Sequence, residues 1–221
     1  MKPNKFRSLR FVSALLAASL SVAAVSAAHA DDLGRREPVV FQAANGIDLT
    51  QGSIPAASAG ILVRSPSSIE ARLALSGLYP YNAYTIYWMI YNRPQNCAVP
   101  TACFPTDLTD ATGAPDPQKI KAVGGTVFIA TGFIAAQDGT ANVSYVLKDG
   151  PLPSGDVPAV PQLAGELWLG NGLGAYIIVI IRTHGPAAAG RTATQISQPE
   201  ANCTACFDHQ AIIFGTAPRS N

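Results

Sequence analysis

Tyr84-Thr85-Ile86-Tyr87-Trp88-Met89-Ile90-Tyr91 carries apolar side chains at odd and even positions alike, and Ala175–Ile181 (AYIIVII) repeats the pattern. A strand with one wet face alternates; a strand that does not alternate is covered on both faces, or lies centrally at a wide part of the core. Around these two runs the sequence alternates as expected of half-buried strands. Ile69, Ala71, Leu73 and Leu75 fall on one side of Ser68–Ser76, with Glu70 and Arg72 on the other. Ala141, Val143, Tyr145 and Leu147 do the same opposite Asn142, Ser144 and Lys148, which is the period of two that a pleated strand imposes. Asp138-Gly139 between Gly125–Ala135 and this strand reads as a hairpin turn, since glycine accepts a positive φ without Cβ strain.

Further short β-branched runs lie at Val39–Gln42, Gly60–Arg64, Glu166–Leu169 and Phe207–Phe214. The total is about eight or nine strands with turn residues between most of them. The expected fold is all-β, an antiparallel β-sandwich, with a closed barrel as the second choice. A parallel α/β fold is disfavoured, because no long amphipathic helix separates the strands.

At the N-terminus Lys2, Lys5, Arg7 and Arg10 precede an apolar run from Phe11 to about Ala28, closed by Ala28-His29-Ala30. Basic residues, a short apolar stretch and small residues before a cleavage point describe a signal peptide over 1–30, leaving a single β domain over 31–221. Of the 15 basic side chains four lie in this leader, so 11 face 14 acidic ones in the remainder. A mildly acidic domain excludes a basic nucleic-acid binder, and no later apolar run is long enough to span a membrane after the signal is removed. The expected location is secreted or periplasmic. Two connections, roughly 92–123 and 148–165, are long and proline-rich; loops of this length are more often functional than merely connecting. The first is expected to be the better ordered, because cysteines staple it.

Leu78-Tyr79-Pro80-Tyr81-Asn82-Ala83-Tyr84 reads L-x-P-x-x-x-Y at the mouth of the first apolar run. It resembles the tyrosine corner of fibronectin type III and immunoglobulin-like sandwiches, in which the tyrosine hydroxyl bonds backbone a few residues upstream. The resemblance implies that Leu78, Pro80, Tyr84 and Trp88 form a structural corner of an immunoglobulin- or fibronectin-like sandwich. It departs from the fibronectin modules in placement, since about 130 residues follow Tyr84 here. A wider likeness, in GLYPYNAYTIYWMIYNRPQNC, RTHGP and CTACFDHQAIIF, is to uncharacterised secreted bacterial β proteins. It implies a single exported domain to which the cysteines and the HGP turn belong, and it brings no mechanism.

The four cysteines, Cys97, Cys103, Cys203 and Cys206, are an even number in a chain read as exported, which points to disulfides with three possible pairings. Local pairs form without prior folding and are favoured over cross-pairing. A second reading takes Cys203 and Cys206 with His184 and His209 as a copper or zinc site of cupredoxin-like plan. Arg182-Thr183-His184-Gly185-Pro186 is expected to end the AYIIVII strand in a turn, with Arg182 and His184 on one face. His209 lies inside the last strand, on the opposite face from Asp208. A carboxylate cluster at Asp107, Asp110 and Asp116 has irregular spacing and reads as loop solvation. No G-x-S-x-G or H-E-x-x-H is present, so no catalytic residue is singled out. Tyr79, Tyr81, Tyr87 and Tyr91 would form an amphipathic contact patch if exposed.

The reading that follows is an exported, non-enzymatic β-sandwich, a binding or structural module stapled by disulfides, with no cofactor and with an unidentified protein or glycan partner. The alternatives are the copper or zinc protein and a secreted hydrolase of unrecognised type.

Overall fold

The computed structural model describes residues 40–42, 58–65, 67–99, 102–151, 166–168, 174–197 and 206–215. The expected signal peptide over 1–30 and Cys203 lie outside these residues. Among the described residues ten strands run in chain order: β1 (Val40–Gln42), β2 (Ala59–Arg64), β3 (Ser68–Leu75), β4 (Asn82–Tyr91), β5 (Gly125–Ile134), β6 (Ala141–Lys148), β7 (Gly150–Pro151), β8 (Glu166–Leu167), β9 (Tyr176–Pro186) and β10 (Phe207–Phe214). Two short helices, α1 (Pro117–Val123) and α2 (Thr192–Gln195), accompany them. A five-stranded sheet has the order β1-β10-β9-β4-β5, a three-stranded sheet the order β2-β3-β6, and β7 pairs β8 separately. Every pairing is antiparallel, so the all-β expectation holds.

The two unalternating runs are β4 and β9, which lie side by side at the centre of the larger sheet. Tyr84, Ile86, Trp88 and Ile90 of β4, with Ile177, Val179 and Ile181 of β9, join one buried cluster with Ile69, Leu73, Leu75 and Leu147 of the smaller sheet. Tyr87, Met89, Tyr91, Ile178 and Ile180 point the other way and join a second cluster with Leu108, Ile120, Val123, Cys97 and Cys103. The long 92–123 connection therefore covers the outer face of β4 and β9, which is why neither strand alternates. β3, with one face buried, keeps its period of two.

The covering segment is built from local rules. Asp116 caps α1 by accepting from the Gln118 and Lys119 amides, Pro117 opens it, and Gly124 ends it at φ 60°, a left-handed conformation that glycine adopts without strain. Cys97 and Cys103 form a disulfide with a Cα separation of 5.3 Å, so the local pairing is the one adopted there. Asp107 locks the same turn, accepting from the Ala98 amide at 2.8 Å and the Phe104 amide at 2.7 Å. Asp110 accepts from Thr112 and Ala114. Each of the three loop carboxylates thus satisfies backbone amides.

Two expectations are corrected. The Asp138-Gly139 turn exists, with Gly139 at φ 71° and Asp138 accepting from Thr140, but it does not make a hairpin. β5 pairs with β4 and β6 pairs with β3, in different sheets. Phe128 of β5 and Leu147 of β6 share the buried cluster, so the turn carries the chain across the core from one sheet to the other. Turn chemistry is local, whereas pairing follows from which face is buried. The second correction concerns Arg182–Pro186: it is not a turn after β9 but the last part of β9 itself.

Trp88 is 1% exposed and lies near Phe128 and Tyr145, with ring centroids 6.3 and 5.8 Å away. Trp88→Ala should lower the unfolding free energy by about 3–5 kcal/mol, read from urea denaturation, because the neighbouring rings cannot collapse into the space. A loss below about 1 kcal/mol would contradict its place in the shared core.

Candidate functional site

The histidines and the aromatic corner come together where β4 begins, β9 ends and β10 begins. Two irregularities in the sheet place them. Across β4 and β9, Asn82 pairs with Pro186 and Tyr84 with Thr183, which leaves His184 and Gly185 opposite the single residue Ala83. Across β9 and β10, Arg182 pairs with Asp208 and Ile181 with Gln210, which leaves His209 as the extra residue. Bulges re-aim side chains and interrupt the alternation of faces. Gly185 stands at φ 77° with open space around it, so its backbone conformation, not crowding, calls for glycine.

His184 sits on the outer side of the sheet, 3% exposed. Its Nε2 lies 2.8 Å from Thr85 Oγ1 and its Nδ1 lies 3.3 Å from Cys206 Sγ. Cys206 is disulfide-bonded, and a disulfide sulfur has no proton to give. The contact therefore assigns the proton to Nδ1, and Nε2 accepts from the Thr85 hydroxyl. Burial first, and the neighbouring Arg182 charge second, lower the His184 pKa from 6.5 to about 4. Arg182 is itself paired with Asp208 at 3.1 Å. The turn beyond His184 is held by Gln195, which donates to the carbonyls of His184 and Pro186 and accepts from the Ala188 amide.

His209 is engaged differently. Tyr84 Oη lies 3.1 Å from His209 Nδ1 and accepts from the Tyr79 amide at 2.9 Å. That upstream bond is the one a tyrosine corner makes. Burial raises the Tyr84 pKa and lowers that of His209, so both are neutral near pH 7. The Tyr79 ring stacks on His209 at 5.0 Å and 17°, with Phe207 edge-on at 5.7 Å. Leu78 is buried and Pro80 lies in the exposed turn.

The four expected tyrosines divide. Tyr87 and Tyr91 are buried, whereas Tyr79 and Tyr81 are 51% and 57% exposed. The Asn82 amide donates to the Tyr79 carbonyl at 3.2 Å, closing a turn with Pro80 second and Tyr81 third. Tyr81 holds φ 59°, where glycine or asparagine is the usual occupant of such a turn. Its amide donates to Ala135 and its carbonyl accepts from Ala187, so the turn is tied on both sides.

Of the copper or zinc set, Cys203 lies outside the described residues, and the other three divide between two sides of the sheet. His184 and Cys206 meet on the outer side; His209 bonds to Tyr84, whose ring belongs to the shared core. Among the described residues the one group of three such ligand atoms within 4.8 Å is Cys97, Cys103 and Asp107, where the sulfurs bond each other. A shallow depression of about 470 Å³ lies elsewhere, on the smaller sheet, beside the exposed Glu70–Arg72 pair. Among the described residues no helix is long and apolar enough to cross a membrane.

Thr85 and Gln195 escaped the sequence reading. Thr85 carries a faint signal, the one hydroxyl amid the apolar side chains of its run outside the tyrosines. Gln195 lies in a stretch without periodicity and carries none. Compared with protein-family models, curated proteins and solved structures, the chain matches none.

The histidine pKa shift gives a pH dependence with a defined sign. A buried neutral imidazole takes up its proton only at low pH, while the unfolded chain takes it up near 6.5. His184 thus contributes stability that is complete above about pH 6.5 and is lost as pH falls toward 4. Denaturant titrations at pH 7 and pH 4.5 should show a decline on the order of 2–3 kcal/mol, smaller in a His184→Gln variant.

Proposed function

We propose that this chain is an exported, non-enzymatic β-sandwich of immunoglobulin- or fibronectin-like plan. It acts as a contact module, held rigid by disulfides, whose touching surface is the end that displays Tyr79 and Tyr81. The shared core between the two sheets supports the sandwich, and the basic and apolar leader supports export. Both described histidines are neutral near pH 7 and engaged through ring nitrogens with groups that hold them in place, which favours a packing role over general-base chemistry.

The observation that carries the reading is Tyr81, bulky, solvent-facing and at a positive φ. A left-handed conformation costs a residue with a Cβ roughly 1 kcal/mol, and glycine would remove that cost. The ring stands where burial returns little, so its use is outside the domain. Tyrosine suits such a use, because it offers a large, stiff, amphipathic surface with few rotamers to freeze. The partner classes that fit are proteins and glycans. The copper or zinc reading has the Cys206–His184 approach in its favour, but it requires Cys206 freed from its disulfide and His209 brought from the other side of the sheet.

Tyr81→Gly should raise the unfolding free energy by about 0.5–1 kcal/mol. Retention on a panel of immobilised polysaccharides and cell-surface protein extracts should fall at least about tenfold in Tyr79→Ser and Tyr81→Ser, with unchanged melting temperature in Tyr81→Ser, whose ring stacks on no neighbour among the described residues. A destabilised Tyr81→Gly variant would show that the ring serves packing, and unchanged retention would overturn the contact role.

A further inference from the structure

The Tyr79 ring is braced from behind. It stacks on His209 with centroids 5.0 Å apart and 17° between the planes. His209 in turn lies 5.9 Å and 21° from Tyr84, which stacks on Phe133 at 5.3 Å and 8°. Phe207 stands at steep angles to the first two rings, 6.2 Å from Tyr79 and 5.7 Å from His209. A ring that close to both members of a stacked pair lies beside them, not over the far side of one. The outer face of Tyr79 is therefore open, and the residue is half exposed. Its backbone is fixed as well, since its amide donates to Tyr84 Oη and its carbonyl accepts from the Asn82 amide. Tyr81, also exposed, follows across Pro80 in the same turn.

Size and charge decide what this surface suits. Among the described residues the large apolar side chains exposed here are Tyr79, Tyr81 and Ile134, which pairs with Ala83. Each offers on the order of 100 Å², well short in sum of the roughly 800 Å² that each partner contributes to a standard protein interface. The charged residues beside the rings in β9 and β10, Arg182 and Asp208, pair with each other at 3.1 Å, and His209 is neutral near pH 7. An aromatic platform also suits nucleobases, but they come with phosphates that call for a cationic groove. We propose that the outer face of Tyr79 is the stacking platform of a glycan subsite for a neutral pyranose, with Tyr81 as its second ring. This rests on the contact role of the two tyrosines and names its ligand class. An aromatic ring is negative on its face and positive at its edge. The C–H bonds along one side of a pyranose are polarised positive by the neighbouring oxygens, and they make a flat apolar face about the size of one such ring. The phenol hydroxyls at the margin donate to and accept from sugar hydroxyls. Because the ring is held before the sugar arrives, little freedom is lost on docking.

The test uses the full chain and an array of neutral oligosaccharides built on glucose, galactose or mannose, with sulfated and uronic-acid chains as charged controls. At least one neutral chain should bind. Its C–H protons should move upfield in the proton magnetic resonance spectrum when protein is added, the signature of a ring face over them. Affinity should fall about tenfold or more in Tyr79→Ser, by a smaller factor in Tyr81→Ser, and stay within about threefold in Tyr79→Phe, which keeps the ring. Far-ultraviolet circular dichroism checks each fold; if Tyr79→Ser does not fold, the upfield shifts with the unmodified chain decide. Binding confined to the charged chains would overturn the proposal, as would neutral binding without upfield shifts or undiminished in folded Tyr79→Ser. If no neutral chain binds while retention on protein extracts still depends on Tyr79 and Tyr81, the glycan subsite fails and the contact role stands. If neither is seen, both fail together.

Discussion

Burial of β4 and β9 on both faces is the constraint from which the other features follow. A sheet whose central strands are apolar on each side needs two covers, and the smaller sheet supplies only one. The other cover is the 92–123 segment, whose own apolar residues, Leu108, Ile120 and Val123, close over Tyr87, Met89 and Ile178. A loop of this kind would lose its cover if it were free to move. The Cys97–Cys103 bond, the Asp107 clamp and the Asp116-capped helix hold it in one shape. Disulfide, carboxylates and prolines in that segment are the means by which a connection becomes a layer.

The same two strands position the candidate site at their far end. Where β4 begins and β9 ends, the alternation of faces gives way to two bulges, and the two histidines are the residues they involve. One histidine is turned outward to Thr85 and Cys206; the other is turned toward Tyr84 and the ring stack under Tyr79. The sheet keeps them apart, and each is neutral. The end of the domain is stiff as a result: turn, bulges and rings are tied through Gln195, Tyr84, Ala135 and Ala187.

Much of the fold was legible in the sequence because periodicity reports burial directly. The absence of alternation in Tyr84–Tyr91 marked a doubly covered strand, and the alternation in Ser68–Leu75 marked a half-wet one. The Asp138-Gly139 turn was legible as a turn but not as a passage between sheets, since two residues encode a local bend and not the partner of the next strand. His184, His209 and Cys206 were legible as chemistry-bearing residues. Their separation was not, because a bulge depends on register across strands and leaves no mark in the spacing along one. Gln195 acts through bonds to carbonyls, and any backbone offers those.

The register of β4 on β9 also has a kinetic consequence. Contacts across this seam join residues 99 apart, as between Thr85 and His184, and closing so long a loop is slow because its entropy is lost before any pairing rewards it. Until β9 arrives, β4 is a ten-residue strand with nine of its positions destined for burial and no proline or charge to blunt it. Such a segment self-associates readily. Refolding yield is therefore set by a race between the seam and encounters with other chains, and it falls as protein concentration rises.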